Sequence, residues 1–188
     1  MDSLLARPAA LGVRVVSCQS FVHERRDPGV YSEAQTFLRE RLSDYRFALA
    51  VCDRDGSGQE ARPREEIERK IEENLAANGW EERAAAVVID PELESWVWGD
   101  WRASRRALNW PPSHNLREWL ITQGLLESGG PKPLDPKAAL KSALRFVDQG
   151  WSSSLHQQIA SEARIHGCTD PAFLKLRSVL QSWFPIAT

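Results

Sequence analysis

The sequence predicts an α/β protein, with a mostly parallel sheet flanked by helices and a helical C-terminal half. Three observations lead there. Two almost wholly apolar runs, Phe47–Cys52 and Ala84–Ile89, have the composition of strands buried on both faces of a parallel sheet. A charged segment with a proline near its start and a glycine at its end separates them, as a crossover helix would. Beyond Pro91 no comparable strand run occurs, and the segments read as helices.

Element by element, Val13–Cys18 is a short β-branched run and is expected to form the first strand. Asp27-Pro28-Gly29 reads as a turn, and Ser32 as the cap of a helix with Ala34, Phe37, Leu38 and Leu42 on one face. The strand Phe47–Cys52 ends in a polar loop, Asp53-Arg54-Asp55-Gly56-Ser57-Gly58. From Pro63 a charged helix runs to Asn78, with Ile67, Ile71 and Leu75 as its apolar stripe and Gly79 as its stop. Ala84–Ile89 follows as a strand closed by Asp90-Pro91. Helices are then expected over Pro91–Gly99, Asn115–Gln123, Pro136–Val147, Ser153–Ala163 and Pro171–Phe184, with loops at 109–115 and 128–136. The organisation expected is an α/β core over 1–100 and a helical extension over 101–188 packed on the same core. No internal repeat is present.

Composition excludes several classes. The chain has 188 residues, 42% of them hydrophobic and 27% charged, which is a globular composition. No run approaches the ~20 apolar residues of a membrane span, and the first residues lack the basic start and apolar stretch of a secretory signal. Cys18, Cys52 and Cys168 form neither a zinc spacing nor a disulfide framework, so a reducing cytoplasm is the expected compartment. The formal net charge of −2 hides an asymmetry: residues 1–100 carry 13 basic and 20 acidic residues, and residues 101–188 carry 11 and 6. An acidic front suits a divalent cation and a basic back suits phosphates; mutual complementation within the monomer accounts for the same pattern.

Carboxylates gather where α/β proteins place their sites, just beyond strand C-termini. Asp53 and Asp55 flank Arg54 after one strand, and Asp90, Glu92 and Glu94 follow the other. If the strands are neighbours, Asp53, Asp55 and Asp90 are candidate ligands of Mg²⁺ or Mn²⁺, with Glu92 or Glu94 completing the shell or handling a proton. The structural reading of the same residues is turn and helix capping. A calcium loop is excluded, because the twelfth position counted from Asp53 is Arg64 and not glutamate. His23 reads as a loop residue, and Cys52 as a small core residue. Of eight tryptophans, Trp96, Trp98 and Trp101 cluster beside Arg102, Arg105 and Arg106, with Trp110 and Trp119 following. Base stacking and helix packing both account for these rings, and the three arginines are the candidate nucleic-acid contacts.

Through "ALAVCDRDGSG", "VVIDPELESWVWGD" and "CTDPAFLKLRSVLQSWF", the chain resembles a group of bacterial Toprim-like proteins over most of its length. Toprim domains bind Mg²⁺ at a phosphodiester through a glutamate after the first strand and an Asp-x-Asp pair after a later one. Asp53 and Asp55 match that pair. The first-strand glutamate has no counterpart, and Met1–Ala6 resembles the helix that follows that strand. The resemblance implies a component of a prokaryotic antiviral defence system, such as the methylation-associated systems, acting on or sensing nucleic acid and cleaving phosphodiesters if its metal site is intact. Other defence proteins are implied partners. The alternative is a non-catalytic adaptor with a degenerate Toprim site and a tryptophan-rich partner face.

Overall fold

The structure is a computed structural model and describes residues 1–186. In chain order it contains α1 (Asp2–Leu5), α2 (Pro8–Leu11), α3 (Arg26–Arg39), β1 (Ala48–Asp53), α4 (Arg64–Leu75), β2 (Ala84–Ile89), α5 (Glu94–Val97), α6 (Trp101–Ala107), α7 (Leu116–Thr122), α8 (Pro136–Phe146), α9 (Ser153–Glu162) and α10 (Pro171–Trp183). The α/β class stands, with β1 and β2 paired in parallel from Ala48 opposite Ala84 to Asp53 opposite Ile89. Among the described residues no helix is long and apolar enough to cross a membrane.

Among the described residues the sheet has two strands, not three. Val13–Cys18 forms no strand: among the described residues its one backbone–backbone bond runs from Arg14 N–H to the Phe184 carbonyl, and Val15 is 79% exposed. β-branched composition makes a strand only where a face can be buried. The ladder position beside β2 is also taken. The outward N–H groups of Ala86 and Val88 donate to Glu72 Oε1 (2.9 Å) and Glu68 Oε1 (3.0 Å). Those carboxylates come from α4, and Lys175 of α10 holds both, at 2.8 Å from Glu72 and 3.1 Å from Glu68. Arg64 adds a contact to Glu68 at 2.7 Å. Side-chain oxygens thus do for this edge what a third strand would have done.

Two compact units are present. The sheet unit comprises Gly12–Glu92 and the segment from Thr169 onward; the helical unit comprises Met1–Leu11 and Leu93–Cys168. A boundary at residue 100 is therefore not where the chain divides. The reason is packing at the ends: α10 returns to β2, and α1 packs on α9. In the sheet unit the expected stripe Ile67, Ile71 and Leu75 is at most 1% exposed, each burial contributing roughly 1.5–3 kcal/mol. It meets Ala48, Ala50, Cys52, Ala86 and Val88 in one core. A π-helical turn, Ala76–Trp80, ends α4, and Gly79 takes the left-handed φ of 92° expected of the stop.

Other expectations shift locally. Asp27-Pro28-Gly29 is not a turn but lies in the first turns of α3, where Pro28 has no N–H bond to lose. Ser32 lies inside that helix and caps nothing: its hydroxyl donates to the Pro28 carbonyl at 2.7 Å. His23 is buried, not a solvated loop residue. Its Nδ1 accepts from Arg25 N–H at 3.2 Å, and a Cβ on Gly29 would collide with that nitrogen. The helix expected from Pro91 starts only at Glu94. A helix absent from the expectation, α6, begins at Asp100, whose side chain accepts from Arg102 and Ala103 N–H.

Candidate functional site

The strand ends are built as the parallel pair requires. Asp53 lies opposite Ile89, so the loops beginning at Asp53 and Asp90 leave adjacent strand ends. Asp55 N–H donates to the Pro91 carbonyl (2.9 Å) and joins the two loops directly, and Asp53 N–H donates to the Asp27 carboxylate (3.0 Å). Asp53, Asp55, Asp90 and Glu92 therefore share the C-terminal edge of the sheet.

Arg54 organises that edge, a role the sequence did not suggest. Its Nη1 lies 3.1 and 3.2 Å from the two oxygens of Asp90, its Nη2 donates to the Glu60 carbonyl (2.6 Å), and its Nε to the Arg62 carbonyl (3.1 Å). Glu60 Oε1 accepts from Gly56 N–H (2.9 Å) and Gly58 N–H (3.1 Å). The amide of Glu60 itself, then those of Gly58 and Gly56 and the nearby Arg54 charge, hold the Glu60 carboxyl below its ordinary range. Cys52 is inert: burial, with the charges of Asp27, Asp53 and Glu68, pushes its thiol up to about 12.

Glu94 belongs to the helical unit and is engaged there. Its side chain is 7% exposed, and Oε1 lies 3.3 Å from His156 Nε2. Burial raises the Glu94 carboxyl, but the His156 contact, its own backbone N–H and the Lys137 charge outweigh that and leave it below the ordinary range. The same contact raises His156 against the opposing effect of burial.

As arranged, Asp90 and Glu94 are engaged by other charges and do not join Asp53 and Asp55 in a Mg²⁺ or Mn²⁺ shell. Both oxygens of Asp90 face a guanidinium, which already supplies the positive charge, and Glu94 faces an imidazole. Among the described residues no three His, Cys, Asp or Glu side chains form a metal-holding group.

The three arginines fare differently. Arg102, Arg105 and Arg106 occupy one face of α6, as positions i, i+3 and i+4 must, and line a cleft of about 590 Å³ with Asn109 and Trp110. Arg106 pairs with Glu162 at 2.8 Å, and Arg105 reaches the Pro112 carbonyl at 3.4 Å. Arg102 is exposed and has no side-chain partner among the described residues. Asp100 anchors the start of the helix: burial raises its carboxyl, and the amides of Arg164, Ala103 and Arg102 more than reverse that.

The tryptophans are not an exposed face. Trp98 and Trp110 are buried and donate their Nε1–H to the carbonyls of Pro136 and His114, both at 3.0 Å. Trp110, Trp119 and Phe146 form one ring cluster, and Trp96, Trp101 and Trp119 are half-buried. Packing thus accounts for the rings that sequence placed beside the arginines. The exposed indole is Trp151, at 46%; its only sequence signal is a position after Gly150 in a polar run. No protein-family model, curated protein or solved structure matches the chain.

Proposed function

We propose that the chain is a nucleic-acid-binding component of a prokaryotic antiviral defence system, built on a degenerate Toprim-like core, and that it meets nucleic acid through the arginine cleft of α6. The observation that carries the contact is the convergence of Arg102, Arg105 and Arg106 on one solvent-open cleft. Guanidinium groups match phosphate oxygens in a bidentate geometry, and an arginine without a carboxylate partner has its donors available for them. The defence context rests on the resemblance of Phe47–Gly58, Val87–Asp100 and Cys168–Phe184 to the bacterial Toprim-like group.

Binding without cleavage is the form of this proposal favoured by the strand ends, where Asp90 is paired with Arg54. The catalytic form, with Mg²⁺ or Mn²⁺ on Asp53 and Asp55, draws support from the adjacency of the two acidic strand ends and requires Asp90 to leave Arg54.

The test is fluorescence anisotropy with labelled single-stranded and duplex oligonucleotides over a salt series. Wild type is expected to bind with a salt slope of about 0.9 per phosphate contact on duplex. Arg102→Glu with Arg105→Glu should flatten that slope and weaken binding to every sequence alike. No binding by wild type at low salt, or equal binding by the double variant, overturns the proposal. Oligonucleotide cleavage with added Mg²⁺ that Asp53→Asn abolishes would restore the catalytic form.

A further inference from the structure

The helical unit holds a second cleft, of about 340 Å³, lined by Ala138, Lys141, Leu144, Arg145, Gln149 and Trp151. It shares no residue with the arginine cleft. Its size falls in the range of small-ligand sites. Ala138, Leu144 and the Trp151 indole make its walls largely apolar, and Lys141 and Arg145 add two cations.

The cations are four residues apart on α8 and lie on one helix face, where like charges repel. Neither has a carboxylate partner among the described residues. Arg145 sits in the last turn, where a cation offsets the helix dipole; Lys141, more than a turn earlier, has no such role. The pair therefore lacks an anion. Two positive groups at this spacing suit the several oxygens of a phosphate better than a single carboxylate.

Trp151 defines the rest of the ligand. One part of its indole contacts His156, with centroids 5.4 Å apart and planes at 52°. His156 is fixed in turn by Glu94 at 3.3 Å and by the Ser152 carbonyl, 3.3 Å from Nδ1. A braced indole that remains 46% exposed beside two unpaired cations is a stacking platform next to an anion site. We propose that this cleft binds a nucleoside phosphate, with the base stacked on Trp151 and the phosphate held by Lys141 and Arg145.

The test is calorimetric titration of the full chain with AMP, ATP, adenosine and inorganic phosphate. AMP and ATP are expected to bind, ATP more tightly, with adenosine and phosphate each weaker by about tenfold or more, as loss of stacking or of charge pairing commonly produces. Lys141→Glu with Arg145→Glu should cost AMP affinity about tenfold or more, and Trp151→Phe should keep more of it than Trp151→Ala. Both cations are exposed, so these variants are expected to fold, and circular dichroism verifies it. Arg102→Glu with Arg105→Glu should leave AMP binding unchanged, which separates failure here from failure of the nucleic-acid reading. No binding of AMP or ATP to wild type, or equal AMP affinity in the Lys141/Arg145 variant, overturns the proposal.

Discussion

In the sheet unit five acidic residues are consumed by structure: Glu68 and Glu72 satisfy the N–H groups of Val88 and Ala86, Asp27 satisfies Asp53 N–H, Asp90 holds Arg54, and Glu60 fills the Gly56–Gly58 loop. In the helical unit Glu94 and Asp100 are equally engaged, but Arg102, Lys141 and Arg145 face solvent without an ionic partner among the described residues. The difference teaches that a residue type rich in chemistry is informative only after its local bonds are counted. A carboxylate that accepts a buried backbone N–H is part of the fold, whereas an exposed arginine without a carboxylate keeps its donors for something else.

This contrast can be broken at four points, each read as a stability change by urea unfolding with nucleic-acid binding measured in parallel. The largest effect is expected at Glu68, which is 3% exposed and bonds Val88 N–H, Arg64 and Lys175. Glu68→Ala leaves the buried Val88 amide without its acceptor and takes one of two carboxylates from both Arg64, which keeps Glu65, and Lys175, which keeps Glu72; it should cost about 3–5 kcal/mol. A cost near that of an exposed residue would show that the β2 edge does not depend on its carboxylates.

Next comes Glu94→Gln, expected to cost about 1.5–3 kcal/mol near pH 5.5, the range for a hydrogen bond to a charged group. The pH dependence sharpens it. Glu94 is lowered from 4.5, so its contribution is present above that value and is lost as pH falls through the folded one. His156 is raised from 6.5, so its contribution is complete below that value and is lost as pH rises through the folded one. The difference between wild type and variant should therefore be greatest between these limits and shrink on both sides. A difference that does not vary with pH would sink the ion-pair account.

A smaller effect is expected at Asp100. Loss of the cap of α6 by Asp100→Ala should cost about 1 kcal/mol and weaken nucleic-acid binding as well, since α6 carries the three arginines. Loss of stability with unchanged binding would separate the cap from the interface. The smallest stability effect is expected at Arg102→Glu, within about 0.5 kcal/mol of wild type for an exposed position, although nucleic-acid binding should fall clearly. If unfolding shifts as much as binding does, Arg102 has a structural partner and the contrast between the units fails.

Much of the framework was legible in the sequence. The apolar runs ending near Cys52 and Ile89 are the two strands, Ile67, Ile71 and Leu75 are the buried stripe, and Gly79 ends its helix. The later helices except α6 were legible from Pro, Asn and Ser at their starts. These features depend on local periodicity and on backbone preferences that each segment carries within itself. Arg102, Arg105 and Arg106 were legible as candidate contacts, but their shared face depends on α6, a helix the sequence did not announce.

Tertiary structure alone decided the rest. Val13–Cys18 has the composition of a strand, but the edge of β2 is closed to it by Glu68 and Glu72, at least fifty residues away in sequence and already bonded to that strand. The acidic strand ends are adjacent as expected, yet which acids remain available depends on where the Arg54 guanidinium points and on His156 reaching Glu94. Trp98 and Trp110 are core while Trp151 is exposed, although one-letter composition treats the three alike. Propensity and periodicity act over a few residues, so a single sequence displays them directly. Hydrogen-bond satisfaction and charge pairing are settled between distant segments, and only the folded chain assigns each polar group its partner.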